Sequence, residues 1–156
     1  MTKQKPIEIF TPPNMLKAKL GGTGAGLDSA ALMRAEAAMD GLKSEFAEWM
    51  NADIAKLGEG RDAYAKKPNE ETRAQLYRAG HDLKGQALTF EHPVVARMAA
   101  SLCKLLDGTH APLLLIDAHV NAIRILVRQN VRDVSDPTTN AVAAELEAQV
   151  REIQAA

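Results

Sequence analysis

With 156 residues, 46% of them hydrophobic but only 4% aromatic, the chain can bury one sizeable core and must build it from Leu, Ala, Val, Ile and Met, which favours helices packed on helices. A formal net charge of -1 excludes the basic footprint of a general nucleic-acid binder, and a single cysteine, Cys103, excludes an internal disulfide. No stretch approaches the roughly 20 apolar residues that span a bilayer and no apolar leader opens the chain, so the expectation is a cytoplasmic protein with no membrane partner.

Residues 1–27 read as an irregular arm. Pro6, Pro12 and Pro13 exclude a continuous helix, and Gly21, Gly22, Gly24 and Gly26 make a hinge. Ile7, Ile9 and Phe10 give the arm apolar residues that a purely solvated tail does not need. The first helix starts at the N-cap Asp28, with Leu27 and Leu32 placed as a hydrophobic staple. Leu32, Ala35, Met39, Leu42, Phe46, Trp49, Ile54 and Leu57 keep to one broad face, and Gly58 and Gly60 weaken the helix or kink it before it ends near Lys66.

Asn69 caps a second helix, whose seam is Leu76, Ala79, Leu83, Ala87 and Phe90, and Pro93 closes it by pushing His92 out of the helical region. A third helix has Pro93 at its first position, with Val95, Met98, Ala99, Leu102 and Leu106 inward and Arg97, Ser101 and Lys104 outward, up to Gly108. The fourth runs from Pro112 with Leu113, Ile116, Val120, Ile123, Val127 and Val131 as its stripe. Asp136-Pro137 opens a last helix with a narrow stripe of Val142, Leu146, Val150 and Ile153, expected to lie on the outside. The expected fold is all-α. It is an antiparallel four-helix bundle over residues 28–134, with the arm at 1–27 before it and an extra C-terminal helix at 135–156.

Within the second helix, His81, Lys84 and Gly85 share one face. His81 stands two residues from Leu83, roughly 200° from the seam at about 100° per residue, and so faces solvent. A neutral imidazole is a nucleophile with a free lone pair. A lysine one turn on can bring positive charge to a phosphoryl group on the ring. A glycine beside it lets another molecule's backbone come close. Such a helix face offers a flat site, suited to a macromolecular partner.

His81-Asp82-Leu83-Lys84-Gly85 resembles the His-x-x-Lys-Gly signature of histidine-containing phosphotransfer (HPt) proteins of bacterial two-component phosphorelays. The likeness extends through Ala100-Ser101-Leu102-Cys103-Lys104-Leu105-Leu106 and covers roughly residues 30–132. It implies a phosphoryl carrier that takes phosphate from an aspartate of one response-regulator receiver domain and passes it to another, with His81 as phospho-acceptor, Lys84 stabilising the phosphoryl charge and Gly85 giving access. The receiver supplies Mg²⁺, so the chain needs no cofactor or metal of its own. With no P-loop or kinase glycine-rich loop, it is not an ATP-dependent kinase.

The partners implied are receiver domains and a hybrid histidine kinase, met by a monomer. Ala74, Tyr77, Arg78 and Leu88, on or beside the His81 face, are the candidate docking residues. Phe90-Glu91-His92 departs from the small residue or glycine that many family members carry at the end of this helix, which bears on partner choice. Of the other histidines, His92 is placed at the site's edge, His110 in a loop and His119 as a packing residue; none has zinc-ligand spacing. Two other readings stand beside the carrier. One is a non-catalytic helical adaptor that sequesters a receiver or kinase, which would need no nucleophile. The other is a histidine-kinase dimerisation domain, whose motif Lys84-Gly85 does not continue.

Overall fold

A computed structural model describes residues 28–156. These form five α-helices and, among the described residues, no strand: α1 (Ser29–Lys66), α2 (Glu70–Thr89), α3 (Pro93–Asp107), α4 (Leu113–Arg128) and α5 (Pro137–Ala155). The arm at 1–27, with Ile7, Ile9, Phe10 and the Leu27 side of the staple, lies outside the described residues. The chain divides into two compact units, Met1–Leu42 and Lys43–Ala156. In the described part of the first, Leu32, Met33, Met39 and Leu42 are exposed. All the packing below lies within the second.

Local chemistry fixes the helix ends. Asp28 caps α1 by accepting from the Ala30 N–H at 3.3 Å. Asn69 caps α2 through a full capping box: its side chain accepts from the Thr72 N–H at 2.9 Å, while the Thr72 hydroxyl accepts from the Asn69 N–H at 3.2 Å. Thr72 thus fills the place usually held by Glu or Gln. Pro93 opens α3, and Asp136 caps α5 by accepting from the Thr139 N–H at 2.8 Å.

α2 and α4 end in the same way. In each, one N–H reaches back five residues, His92 to Ala87 at 2.7 Å and Val131 to Leu126 at 2.9 Å, as in a Schellman motif. The motif needs a left-handed residue, here Glu91 (φ 60) and Asn130 (φ 51). Asn tolerates that conformation, whereas Glu adopts it against a steric penalty of about 1–2 kcal/mol.

α3 is the centre of the packing, touching α2, α4 and α5. It is therefore buried nearly all round, with Val94, Ala96, Ser101 and Leu105 inside as well as Val95, Met98, Ala99, Leu102 and Leu106. Ser101, expected outside, is buried because His119 of α4 meets it: Ser101 Oγ lies 2.9 Å from His119 Nε2. His119 Nδ1 is 2.8 Å from the Leu115 carbonyl, which can only accept, so Nδ1 carries the proton and Nε2 accepts from the serine hydroxyl. Both nitrogens are satisfied and the ring is fully buried. Burial holds the His119 pKa below its ordinary value.

α1 runs unbroken through Gly58 and Gly60, and its seam differs from the expected stripe. Met50, Asp53, Leu57 and Gly60 face inward, while Trp49 is exposed. A Cβ on Gly60 would stand 3.2 Å from the Leu76 Cα, so α2 passes close to α1 at this glycine. A bidentate ion pair from Arg61 to Asp117, at 2.6 and 2.9 Å, ties α1 to α4. In α2 the buried line is Leu76, Gly80, Leu83 and Ala87, with Gly80 against Cys103 Sγ in the place expected of Ala79. α4 buries Ile116, Val120, Ile123 and Leu126, and Leu113 stays partly exposed. α5 buries Ala143, Leu146 and Val150, and its Glu147 accepts two hydrogen bonds from Arg97 of α3 at 2.5 and 3.2 Å. No helix among the described residues is long and apolar enough to cross a membrane.

Candidate functional site

The seam of α2 fixes what the opposite face presents. With Leu76, Gly80, Leu83 and Ala87 buried, His81 and Gly85 are exposed and Lys84 is half-buried. No hydrogen bond engages the His81 ring among the described residues; its near neighbour is Tyr77 one turn back, with stacked rings 6.2 Å apart. The ring is therefore oriented by a side-chain stack, with its nitrogens open to a partner.

His81 sits between two different surroundings. On the α1 side lies an open groove that brings His81, Asp82 and Gly85 together with Phe46, Trp49 and Asp53. On the α3 side stand Tyr77, whose carbonyl lies 3.8 Å from Cys103 Sγ, and Lys84, whose charge opposes the rise of the Cys103 pKa. Burial pushes the Cys103 thiol up to about 11, which keeps it protonated and unreactive. The predicted docking residues thus do not form one patch with the groove. Ala74 and Arg78 are exposed, Tyr77 is half-buried, and Leu88 is 61% exposed, but none of the four lines the groove.

The helical glycines separate by what surrounds them. A Cβ on Gly80 would meet Cys103 Sγ at 3.3 Å, and one on Gly60 the Leu76 backbone at 3.2 Å; one on Gly85, like one on Gly41 of α1, would meet nothing within 4 Å. Packing accounts for the first two. Gly85 weakens an exposed helix position by about 1 kcal/mol relative to alanine with no return inside the protein.

No family model, curated protein or solved structure matches this chain. The site is therefore read from its own chemistry. Among the described residues no group of three or more His, Cys, Asp and Glu side chains is placed to hold a metal ion.

Two groove residues escape the sequence reading. Trp49, expected in the α1 seam, stands exposed, with its ring 5.7 Å from Phe46 and 5.9 Å from Phe90. Asp53 is only 5% exposed, and its Oδ2 has no partner. Burial raises its pKa, Lys56 at 3.9 Å opposes the rise, and Asp82 adds to it. A signal was available, since Met50, Asp53, Leu57 and Gly60 follow a helical spacing, but an aspartate and a glycine in a seam look like its solvent face. His92, placed by the sequence at the edge of the His81 site, is buried and lines a separate cavity on the far side of Phe90. The left-handed Glu91 turns the chain so that His92 follows it inward.

Proposed function

We propose that this chain is a histidine phosphotransfer protein, relaying a phosphoryl group between aspartates of response-regulator receiver domains through a phosphohistidine on His81. On this reading α1–α4 form the antiparallel four-helix bundle of that class and α5 is an addition to it. The observation that carries the proposal is the pairing of an exposed, unengaged His81 with a Gly85 that no internal contact requires. A glycine that weakens its helix beside a free nucleophile is accounted for by a partner's close approach.

The lone pair of a His81 ring nitrogen attacks the phosphorus of a receiver's aspartyl phosphate. The N–P bond forms as the P–O bond to the aspartate breaks, and the carboxylate leaves with the bonding pair. The other ring nitrogen keeps its proton throughout, so no general base is needed. Reversal of these steps loads a second receiver. Because the phosphoryl group passes through a loose transition state with charge on its equatorial oxygens, positive charge and positioning supply the catalysis. Lys84 provides that charge from this chain, and the receiver brings the Mg²⁺. Ala74, Tyr77, Arg78 and Leu88, on or beside the His81 face of α2, would offer the mixed apolar and basic surface of a transient interface, whose charge suits an acidic receiver cleft.

Incubation with a radiolabelled phospho-receiver tests the proposal. Acid-labile, alkali-stable label is expected on the wild type and not on His81→Gln. Equal label on the variant refutes it.

A further inference from the structure

On the far side of Phe90 from His81, a cavity of about 500 Å³ opens between α1, α4 and the turns that end α2 and α4. Its charge is one-sided. Lys43, Arg124, Arg128 and Arg132 line it and no acidic residue does, in a chain whose formal net charge is -1. None of these four cations makes an ion pair with a carboxylate within 4 Å among the described residues, in contrast to Arg61 and Arg97, although Arg124 is near enough to Asp117 to help Arg61 hold that carboxyl's pKa down.

Arg132 is held in place. Its Nε donates to Asn130 Oδ1 at 3.0 Å and its Nη1 to the Phe90 carbonyl at 3.2 Å. Both acceptors are neutral, so the charge is uncompensated, and three of the five guanidinium N–H groups remain for a ligand. His92 is 5% exposed and its Nδ1 has no partner, an arrangement that costs stability in a closed protein and that a ligand's polar group would relieve. Burial and the neighbouring Arg132 push the His92 pKa down, against a backbone contact at Val131 that raises it. The lining also has apolar members. Phe46 and Phe90 stack at 4.4 Å, and Met50, Ile54 and Val127 join them.

We propose that this cavity binds a polyphosphorylated small molecule with a flat apolar portion, of the nucleotide class. The phosphates lie among Arg132, Arg128, Arg124 and Lys43, and the planar group lies against the Phe46–Phe90 pair. The volume falls within the range of small-molecule sites. Two exposed, unpaired side chains, Lys43 and Arg128, are free to fold onto the phosphates, while Arg132 is already positioned. His81 lines a neighbouring groove that shares Phe46 and Phe90 with this cavity but none of its four cations.

Isothermal titration of the full chain with ATP and with inorganic pyrophosphate, both in EDTA, tests the proposal. The expected result is saturable binding of ATP at one site, with pyrophosphate weaker. Arg132→Gln and Arg128→Gln should each weaken ATP by about tenfold. Arg128 makes no hydrogen bond within the described residues, so its variant reports binding even if Arg132→Gln disturbs the turn. Arg151→Gln on α5 removes the same charge away from the cavity and should leave the affinity unchanged. Non-saturable uptake, or an equal loss in Arg151→Gln, overturns the site. Pyrophosphate binding as tightly as ATP overturns the nucleotide class.

Discussion

Replacing Gly85 with alanine should make the protein more stable and a worse phosphoryl carrier. The added Cβ meets no atom within 4 Å, so there is no packing penalty, and the position is an exposed helix interior. The helix-propensity difference then stands alone, at about 0.8–1.0 kcal/mol in favour of alanine, part of it from a less flexible unfolded chain. With a urea m-value of about 2 kcal/mol/M, the denaturation midpoint rises by roughly 0.4–0.5 M. The melting temperature rises by roughly 2–6 °C for a domain of this size. Circular dichroism in urea measures the first effect. The second is read from the rate at which a phospho-receiver labels His81. A methyl group beside the ring holds the receiver's backbone off, and a displacement of even 1 Å costs a factor of about 100 in transfer. Two results would refute the reasoning. Destabilisation would mean that the fold itself uses Gly85. A stabilised variant that transfers at the wild-type rate would mean that access is not why the position is glycine. Gly60→Ala is the internal comparison: its Cβ would press on the Leu76 backbone at 3.2 Å, so the propensity gain is opposed and the midpoint should fall.

Glu91→Gly removes a left-handed glutamate from the Schellman turn, and thermal melting should show a gain of about 1 kcal/mol. Ser101→Ala strips His119 Nε2 of its donor in a dry interior, and urea denaturation should show a loss of about 1–3 kcal/mol. His119 also sets a pH dependence. Because its folded pKa is depressed, its contribution is present above the ordinary 6.5 and lost as pH falls through the folded value, so denaturation midpoints at pH 7 and below should decline. Asp53 acts with the opposite sign: its folded pKa is raised above 3.8, so its burdening charge is relieved as pH falls through the folded value. Asp53→Asn should therefore raise the melting temperature at pH 7 and lose that acid-side relief; a lower melting temperature would show that the carboxylate is compensated.

Helix ends were legible because their chemistry is local. Asp28, Asn69, Pro93 and Asp136 each act on groups within four residues, and all four helices they open begin there. The exposure of His81 was legible for the same reason, since it follows from the spacing to Leu83 on one helix. What depends on a second element was not. Ser101 looks like a solvent-facing residue until His119, 18 positions on, supplies its partner. Gly60 looks like a weak point in α1 until Leu76 is brought against it. Asp53 reads as surface and Trp49 as core, because hydrophobicity alone assigns them so, while in the fold Asp53 lies on the same buried face of α1 as Gly60 and Trp49 does not. Of the four cations of the cavity, Arg124, Arg128 and Arg132 follow at intervals of four, the spacing of a helical face, but Lys43, Phe46 and Phe90 are remote in sequence and join them only once the helices pack.

A surface nucleophile gains from being on a stiff support. If the ring moved relative to the docking surface, each encounter would have to find the in-line geometry anew, and the positioning that drives a loose phosphoryl transfer would be lost. α2 limits that freedom at three levels. The capping box at Asn69 and Thr72 stops fraying at its start, and the Schellman turn does so at its end. Between them Leu76, Leu83 and Ala87 are fully buried, so the backbone under His81 cannot rotate without opening the core. Only the side-chain torsions of His81 remain, and the Tyr77 ring lies along one side of them. The strained Glu91 belongs to the same logic, because a left-handed residue at that point is what ends α2 tightly against the start of α3. An exposed histidine on a frayed or loosely packed helix would have the same nucleophile and the same solvent access. On the proposed function it would lack the orientation that a partner's surface, meeting Gly85 on one side and Lys84 on the other, needs to define a line of attack.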